Sequence, residues 1–395
     1  MTDIITYENG VLNVPPQVSI VKITGDGVGP EIWRASQPAI EQAAQLANRQ
    51  IIWREYQAGE AAFKESGSPL PEETLAALKR YRVGLKGPLG TPIGGGARSL
   101  NVAIRQSLDL YACVRPIKYF PGCPSPVKDP SSLDIILFRE NTEDVYAGLE
   151  WPAQSPEAKK LIAFLRDELN TPLAPDAAVG LKPMTEQASK KLIRAALKWA
   201  LREKKDSLTL VHKGNIMKFT EGAFRQWGYD LAADEFGELT IPESKLASDQ
   251  STSRLVIKDR LADNMFMQVL ARPEEYSVLA MPNLNGDYLS DALAAQIGGL
   301  GVAPGANLGD GIGVFEATHG TVPKRAGRDM VNPSSLLLSA ALMFDWLGWE
   351  TAAHRLRSAI AKTVAEGLMT YDLARQADRE PVSCSAFGAA VLERL

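Results

Sequence analysis

Residues 18–30 read Val-Ser-Ile-Val-Lys-Ile-Thr-Gly-Asp-Gly-Val-Gly-Pro and join a short apolar run to a glycine-rich turn. The β-branched residues from Val18 to Thr24 predict a β-strand, and the apolar residues that recur at helical spacing after Pro30 predict a helix. A strand, a glycine turn and a helix in this order are typical of an α/β unit. We therefore expect strands and helices to alternate from this point along the chain.

The glycine turn lies where a dinucleotide-binding fingerprint would lie, but it departs from that fingerprint in two ways. Pro30 replaces the third glycine of G-x-G-x-x-G, which allows close packing of helix and strand. The stretch about 20 residues further on, mostly Ala, Gln and Asn, offers no acidic partner for a ribose. We interpret residues 25–30 as a structural turn and not as a Rossmann nucleotide site. The sequence contains no Walker A motif either.

The same alternation continues along the chain. The polar, Ser/Thr-rich stretch 238–254 predicts an exposed loop. Strand-like runs occur at 82–85, 134–138 and 207–211, and helix-like patterns at 72–81, 99–108, 156–169, 185–203, 218–236, 333–346, 350–368 and 384–393.

The bulk composition is that of a globular protein. Of the 395 residues, 45% are hydrophobic and 23% charged, and this length suggests two or three domains. A formal net charge of −4 gives no general attraction to nucleic acid or to a membrane surface. No apolar run is long enough to span a membrane, and the three cysteines form no CxxC pair. We expect a cytoplasmic protein with neither nucleic acid nor membrane as a partner.

A first cluster of candidate functional residues surrounds the start of the helix at 99–108. Ser99 and Asn101 place a hydroxyl and an amide at the amino end of this helix, where free N–H groups favour an anion. Arg105 lies one turn later, and Arg115 and Arg139 end two strand-like runs. Arginine binds carboxylates with two parallel hydrogen bonds, although any one of these arginines alone would more often form a surface ion pair.

A second cluster consists of aspartates. Asp287 and Asp291 are four residues apart at a predicted helix start, so both carboxylates face one side. Asp259 and Asp263 lie in a neighbouring segment. Oxygen ligands of this kind favour Mg²⁺ or Mn²⁺. The alternative for the first pair is a capping aspartate followed by a solvated one.

Two further residues have side chains suited to proton transfer. Tyr146 lies in Glu-Asn-Thr-Glu-Asp-Val-Tyr-Ala-Gly at 140–148, and Lys213 in Val-His-Lys-Gly-Asn at 211–215. Burial or nearby cations can move the pKa of a lysine or a tyrosine toward such a role. Each is weak evidence by itself.

Taken together, these segments resemble the isocitrate/isopropylmalate family of β-decarboxylating dehydrogenases, and within it the bacterial NADP-dependent isocitrate dehydrogenases. The resemblance runs from about Asn13 to the carboxyl terminus. Its most specific segments are residues 85–89, 94–105, 138–146, 211–222, 283–288 and 316–321.

The resemblance implies a three-layer α/β fold that is not a Rossmann fold. A large α/β domain is expected from residues 1–110 and 301–395, and a smaller α/β domain from residues 111–300. A clasp at about 145–187 would lock two chains into a homodimer with shared active sites.

The resemblance also assigns roles to the residues singled out above. Tyr146 and the partner subunit's Lys213 would handle protons, and Asp287, Asp291 and the partner subunit's Asp263 would bind Mg²⁺ or Mn²⁺. The isocitrate carboxylates would be held by Ser99, Asn101, Arg105, Arg115 and Arg139.

For the cofactor, the resemblance implies NADP rather than NAD. Basic residues replace the acidic residue that would accept ribose hydroxyls in an NAD enzyme. Arg325 stands where a tyrosine is usual, and Gly90 where a threonine is usual, which leaves the cofactor geometry at these two points open. The expected cofactor residues are Thr91, Arg272 of the partner subunit, His319, Gly320, Lys324, Arg325, Asn332, Tyr371 and Arg375.

The implied reaction is oxidative decarboxylation of isocitrate to 2-oxoglutarate and CO₂. Hydride would leave C2 for NADP, and the metal would then stabilise the enolate as CO₂ departs, with Tyr146 donating the final proton. Related bacterial enzymes are regulated by a kinase that acts on the serine equivalent to Ser99, so such a partner is an expectation here too. The alternatives are a sister enzyme for homoisocitrate, isopropylmalate or tartrate, and a non-catalytic regulatory subunit.

Overall fold

The computed structural model describes residues 3–90, 99–246 and 252–395, which form fifteen strands and thirteen α-helices. The strands are β1 (Thr6–Glu8), β2 (Val11–Asn13), β3 (Gln17–Ile23), β4 (Gln50–Glu55), β5 (Val83–Lys86), β6 (Ala112–Lys118), β7 (Asp134–Glu140), β8 (Glu150–Trp151), β9 (Val179–Gly180), β10 (Ser207–His212), β11 (Thr240–Pro242), β12 (Leu255–Leu261), β13 (Val278–Met281), β14 (Pro304–Gly309) and β15 (Ile312–Ala317). The helices are α1 (Gly29–Leu46), α2 (Glu60–Ser66), α3 (Glu72–Tyr81), α4 (Leu100–Ser107), α5 (Pro156–Asp167), α6 (Glu186–Arg202), α7 (Glu221–Phe236), α8 (Ala262–Ala271), α9 (Asn283–Gln296), α10 (Ser334–Trp346), α11 (Glu350–Ala365), α12 (Tyr371–Ala377) and α13 (Cys384–Glu393).

Eleven of these strands form one mixed sheet in the order β11-β12-β10-β13-β7-β6-β14-β15-β5-β3-β4. Strands from residues 17–86 and 304–317 occupy one part of the sheet, and strands from residues 112–281 occupy the other. Strand β6 runs antiparallel to both of its neighbours, β7 and β14. The domain boundaries stay a prediction.

The opening strand, turn and helix form as the sequence predicts. Gly25 and Gly27 have φ angles of +81° and +56°, which only glycine adopts without strain. A Cβ on Gly27 would lie 2.0 Å from the carbonyl oxygen of Thr321. Gly27 therefore allows the turn to approach the segment after β15 closely, and Gly25 allows it to approach Pro88 after β5, so both glycines have a structural use.

The core lies on both faces of the central sheet. Helix α10 is buried along most of its length and packs on β14 and β15. All three cysteines, Cys113, Cys123 and Cys384, are buried with free thiols. In the described parts of the chain we find no helix that is both long and apolar enough to cross a membrane.

Two expectations from the sequence are wrong. Arg115 does not end a strand but lies inside β6, which continues through Pro116 to Lys118. Proline is tolerated there because β14 pairs with β6 only as far as Val114, so no ladder bond is lost on that side.

The second correction concerns the predicted loop at 238–254. It contains β11, which pairs with β12 at the edge of the sheet, and a short 3₁₀ helix at Glu243–Lys245. Thr240 and Ile241 are buried, and the Thr240 hydroxyl donates to the carbonyl of Phe236. A three-residue edge strand is too short to produce a clear apolar pattern in the sequence. Residues 247–251 lie outside the described residues.

Candidate active site

Four parallel strands end at one edge of the sheet and place candidate residues there. Strands β7, β13, β10 and β12 are neighbours in this order, and their pairings are all parallel. Arg139 lies near the end of β7, and helix α9 with Asp287 begins after β13. Lys213 follows β10, and Asp263 follows β12. Ligand sites of α/β sheets lie beyond the carboxyl ends of parallel strands, as these residues do.

Arg139, Tyr146 and Asp287 are brought together in this region. The Nη1 of Arg139, whose side chain is 2% exposed, lies 2.5 Å from Oδ1 of Asp287, and its Nε donates to Oδ1 of Asn283 at 2.8 Å. The Tyr146 hydroxyl donates to Oδ2 of Asp287 at 2.5 Å. The Arg139 guanidinium lies 4.9 Å from the centre of the Tyr146 ring. A Cβ on Gly286 would lie 2.5 Å from the Arg139 side chain, so glycine is required there.

The surroundings of Tyr146 keep its hydroxyl protonated. Burial, followed by the hydrogen bond to Asp287, raises the pKa of Tyr146 to about 12. At neutral pH the side chain is therefore a proton donor, which suits the expected role of Tyr146 as a general acid.

Asp287 and Asp291 are four residues apart in α9, as expected for a pair of metal ligands. Desolvation by the surrounding residues raises the pKa of Asp291, although solvent still reaches part of its side chain, and the negative charge of Asp287 adds to this effect. A divalent cation between the two carboxylates would relieve the repulsion, so this pair fits a hard metal ion. Within the described part of a single chain, no group of three or more His, Cys, Asp or Glu side chains is arranged to hold a metal.

Arg105 and Arg115 surround a buried carboxylate, Glu316, to which the sequence reasoning gave no role. Lys86 Nζ lies 2.6 Å from Oε2 of Glu316, and Arg105 Nη2 lies 3.1 Å from Oε1. Burial opposes ionisation of Glu316, but the charges of Lys86, Arg105 and Arg115 outweigh it and hold the pKa of Glu316 well below its usual range. Lys86 and Glu316 lie in two of the family-specific segments, at 85–89 and 316–321. Their place in these segments was the only feature of the sequence that pointed to them.

Arg115 connects this buried cluster to the aspartates of α9. Its charge acts on both Glu316 and Asp291. The field of Arg115 therefore reaches both the carboxylate of Glu316 and that of Asp291, which links the cationic cluster electrostatically to the expected metal ligands.

The start of α4 leaves polar groups available to a ligand. Ser99 is the residue before the first turn of α4, and its hydroxyl makes no capping hydrogen bond. The side-chain oxygen of Asn101 is buried and has no hydrogen-bond partner within residues 3–90, 99–246 and 252–395. Both side chains therefore fit the expected carboxylate-binding role. Part of the preceding glycine-rich segment, and Thr91, lie outside the described residues.

Lys213 and Asp263 pair with each other. Lys213 Nζ lies 2.5 Å from Oδ1 of Asp263, and this hydrogen bond lowers the pKa of Asp263. In the described part of the chain, no hydrogen bond or ion pair connects the two side chains to Tyr146 or Asp287. The structure of one chain therefore leaves this pair apart from the first cluster.

Further candidates for cofactor binding follow β15. The His319 ring donates from Nδ1 to the carbonyl of Gly320 at 3.0 Å, and its Nε2 is buried without a partner. Burial lowers the pKa of His319, so the ring stays neutral and Nε2 can accept a hydrogen bond. Such an acceptor fits an adenine amino group. Asn332, on the segment that precedes α10, is buried, and its side-chain amide donates to Oδ2 of Asp372 at 3.1 Å.

The basic residues expected at a 2′-phosphate lie on two exposed segments. The Arg325 guanidinium stacks over the Tyr371 ring, 3.8 Å from its centre. Lys324 and Arg375 are exposed, and none of the three basic residues forms a salt bridge within the described residues. Within a single chain, Arg272 does not join these basic residues. It follows the last residue of α8, and its Nη1 lies 3.6 Å from Oε1 of Glu275.

Comparisons with known proteins give a consistent result. The isocitrate/isopropylmalate dehydrogenase family matches residues 19–391. An isocitrate dehydrogenase [NADP] from Archaeoglobus fulgidus is 51% identical, with 99% of this chain and 96% of the relative covered. One from Staphylococcus aureus is 48% identical, with 99% of each chain covered. The crystal structure of an isocitrate dehydrogenase from Methylococcus capsulatus superposes with a TM-score of 0.80 at 36% identity, with 95% of this chain and 98% of that chain covered.

Proposed function

The chain belongs to the isocitrate/isopropylmalate dehydrogenase family, and we propose that within this family it is the NADP-dependent enzyme that converts isocitrate to 2-oxoglutarate and CO₂. The observation that carries this reading is the arrangement of Arg139, Tyr146 and Asp287. A buried guanidinium, a protonated phenol and a metal-binding carboxylate touch one another at the end of the parallel strands.

The substrate carboxylates are bound by cationic and polar groups from three elements. Arginine at these positions offers two parallel hydrogen bonds to a carboxylate, and the amino end of α4 adds a favourable field. The Ser99 hydroxyl makes no capping bond to α4, and the buried side-chain oxygen of Asn101 has no hydrogen-bond partner among the described residues. The proposed set is Ser99, Asn101, Arg105, Arg115 and Arg139.

The chemistry supplied by the bound cofactor and metal is hydride acceptance and Lewis-acid stabilisation. The chain's own residues orient the acid and move its protons. Arg139 holds Asp287 in place, and Tyr146 delivers a proton to the carbon that loses CO₂. The proton of the C2 hydroxyl leaves through the pair that Lys213 and Asp263 of the partner subunit form. Asp287 and Asp291 hold Mg²⁺ or Mn²⁺ together with Asp263 of the partner subunit.

For the cofactor, we assign the adenosine part to the segments that follow β15. We propose that His319 accepts from the adenine amino group and that Asn332 and Gly320 contact the same part of the cofactor. Thr91 is assigned to the nicotinamide end from its position in the sequence. The 2′-phosphate is neutralised by Lys324, Arg325, Arg375 and the partner subunit's Arg272, with Tyr371 supporting Arg325.

We propose a homodimer whose active sites are shared between subunits. Apolar side chains are exposed next to Lys213 and Asp263, which supports an interface at this surface. Ile216 and Phe219 follow Lys213 and are 70% and 92% exposed, and Met267 and Leu270 follow Asp263 on α8. Large apolar side chains this exposed usually mark a contact surface.

The predicted clasp also has an unusual surface. Strands β8 and β9 form a small sheet separate from the central one, and helix α5 carries an exposed Phe164. We propose that residues 145–187 exchange contacts with the partner subunit, and that residues 1–110 with 301–395 and residues 111–300 form the two domains.

Ser99 is also a candidate site of regulation. A phosphate on its hydroxyl would occupy the position proposed for a substrate carboxylate and would repel an anionic substrate. We propose that a kinase acting on Ser99 would inactivate the enzyme by blocking isocitrate, without refolding.

Purified protein tests the proposed activity. NADPH formation is followed with isocitrate, homoisocitrate, isopropylmalate and tartrate in turn, with Mg²⁺ present or removed by EDTA. We expect turnover with isocitrate, loss of turnover in EDTA and recovery on adding Mg²⁺ or Mn²⁺. Faster turnover of another acid would indicate a sister enzyme. No turnover with any acid would indicate a regulatory subunit.

A further inference from the structure

Glu221, the first residue of α7, is a buried carboxylate to which the mechanism above gives no part. Its side chain is 1% exposed. Its Oε2 accepts from the backbone N–H of Lys213 at 2.5 Å and from the side-chain amide of Asn285 at 2.8 Å. Its Oε1 lies 3.0 Å from Nζ of Lys182. One carboxylate therefore joins the loop of Lys213, the first turn of α9 and the segment after β9.

A second buried carboxylate extends this network. Lys182 also forms an ion pair with Asp144, whose Oδ2 accepts from the backbone N–H of Leu284 at 3.0 Å. Asp144 precedes Tyr146 by two residues, and Leu284 precedes Asp287 by three. The first turn of α9 is therefore tied on one side to the Tyr146 segment and on the other to the Lys213 loop.

The turn that carries Lys213 is held at its backbone. Besides the bond from Lys213 to Glu221, the N–H of Gly214 donates to Nδ1 of His212 at 3.0 Å. A Cβ on Gly214 would lie 2.7 Å from Cα of Gly222, so this turn packs directly against the start of α7. A lysine side chain is long and flexible, and the position of its ammonium depends on how firmly the backbone beneath it is fixed.

We propose that Glu221 is a positioning residue for catalysis, which holds the loop of Lys213 at a set distance from the helix that carries Asp287 and Asp291. This inference rests on the proposed function, in which Lys213 serves the site of the partner subunit. Glu221 therefore connects Lys213, which serves the active site of the partner subunit, to helix α9, which carries the metal ligands of the subunit that contains Lys213.

Steady-state kinetics give the first test. Displacing a catalytic group by about 1 Å can cost roughly a hundredfold in rate. We expect Glu221→Ala to lower kcat at least about tenfold and to change the KM for isocitrate less than about threefold. Glu221→Gln keeps one acceptor for the Lys213 N–H and should recover part of kcat. An equal loss in both variants, or a change confined to KM, would overturn the proposal.

Hybrid dimers show on which site Glu221 acts. A chain with Tyr146→Phe and a chain with Lys213→Met together leave one working site, formed by the cleft of the second chain and the lysine of the first. Adding Glu221→Ala to the first chain should lower the activity of this reference hybrid at least about tenfold. Adding it to the second chain should lower the activity less than about threefold. The reverse asymmetry, or equal losses, would contradict the proposal.

A matched control and a check on the premise complete the experiment. Glu31 is another buried carboxylate that accepts two backbone N–H groups, from Gly327 and Asp329 of its own chain. Glu31→Ala in the first chain should leave the hybrid close to the reference. An inactive reference hybrid would refute the shared site and the cross-subunit part of the proposal, and the kinetics of the homodimer would still decide whether Glu221 positions Lys213.

Discussion

The Tyr146 hydroxyl and the Asp287 carboxylate are joined by a 2.5 Å hydrogen bond, while the other oxygen of Asp287 binds Arg139. Both oxygens of the expected metal ligand are therefore engaged. Each carboxylate oxygen has two lone pairs, so a cation that binds Asp287 competes with these hydrogen bonds for the same oxygens and weakens one or both of them. If it displaces Tyr146, the phenol is released toward the substrate, so metal binding and the placement of the proton donor are coupled.

Replacing Tyr146 with Phe should separate metal binding from proton donation. Loss of a general acid typically costs about 10²–10⁴ in rate, and we expect kcat to fall within this range while the KM for isocitrate changes less than tenfold. Because Asp287 loses a competing hydrogen bond, Mn²⁺ should bind at least as tightly, which titration calorimetry measures. A kcat close to that of the unmodified enzyme would show that Tyr146 is not the donor.

Lys324, which is exposed, and Arg325, which is half-buried against Tyr371, should determine the choice of cofactor. Each charge-assisted bond to the 2′-phosphate is worth roughly 1.5–3 kcal/mol, so two of them favour NADP over NAD by at least about a hundredfold. Lys324→Asp with Arg325→Ile should abolish the use of NADP and spare that of NAD, as measured by kcat/KM with each cofactor. Arg328→Asp, on the same segment, is the control and should change the preference little. Equal efficiency with both cofactors in the unmodified protein would refute this assignment.

Ser99 should be sensitive to charge but unimportant for stability. Its hydroxyl makes no capping bond, so Ser99→Ala should unfold at nearly the same temperature and keep measurable activity with weaker isocitrate binding. Ser99→Asp should be inactive, since it places a negative charge at the carboxylate site. Ser155, whose side chain does cap α5, is the matched control, and Ser155→Ala should lose about 1 kcal/mol of stability. Near-normal turnover by Ser99→Asp would contradict the role in substrate binding.

Glu316 should stabilise the protein in a way that depends on pH. Its pKa is held below the value of about 4.3 that a glutamate has in an unfolded chain, so its contribution is complete above that pH and is lost as the pH falls through the lowered pKa. At pH 7, Glu316→Gln leaves Lys86 and Arg105 buried without a counter-charge and should cost about 3–5 kcal/mol.

Urea unfolding of both proteins at pH 7 and at acid pH measures this effect. The difference in free energy of unfolding should shrink in acid, and adding Lys86→Met to Glu316→Gln should recover part of the loss at pH 7. A difference that is the same at both pH values would show that the charge of Glu316 is not the cause.

Phe219 should be required for dimerisation. It is 92% exposed in the single chain, and a negative charge at a buried interface position would be costly. Phe219→Glu should therefore shift the protein to monomers in analytical ultracentrifugation. It should also lower the activity, because each proposed active site takes Lys213 and Asp263 from the partner subunit. Phe63→Glu on α2, where the side chain is 58% exposed, is the control and should remain dimeric and active. A dimeric Phe219→Glu would place the interface elsewhere.

The sequence predicted those parts of the fold that depend on local pattern. Helix α3 begins and ends where its apolar spacing indicates, at Glu72 and Tyr81, and α10 differs by one residue at its start. Arg139, Tyr146 and Asp287 were each found from a short motif. Their association in space followed from the resemblance, because no local pattern specifies it.

The sequence could not reveal relationships that depend on strand register. Glu316 meets Lys86 because these two residues are paired across β15 and β5, and Arg105 is 211 positions away from Glu316 along the chain. Burial of the Glu221 carboxylate is equally invisible, since an isolated glutamate at a helix start is usually a solvated one. The sequence also did not predict that β6 continues through Pro116, because this depends on which side of the strand has no neighbouring strand at that residue.

The hairpin of β14 and β15 sets the order in which the chain can fold. In the described sheet these two strands are the link between β6 on one side and β5 on the other, and both come from residues 304–317. Until they are made, the strands that precede them can form only two separate partial sheets. Besides its native edge strand, each of these has a second unpaired edge, β6 in one and β5 in the other, that can join another chain. The central sheet closes only after three-quarters of the polypeptide has left the ribosome. A chain truncated before Pro304 is therefore a candidate for aggregation, even though most of its strands are already present.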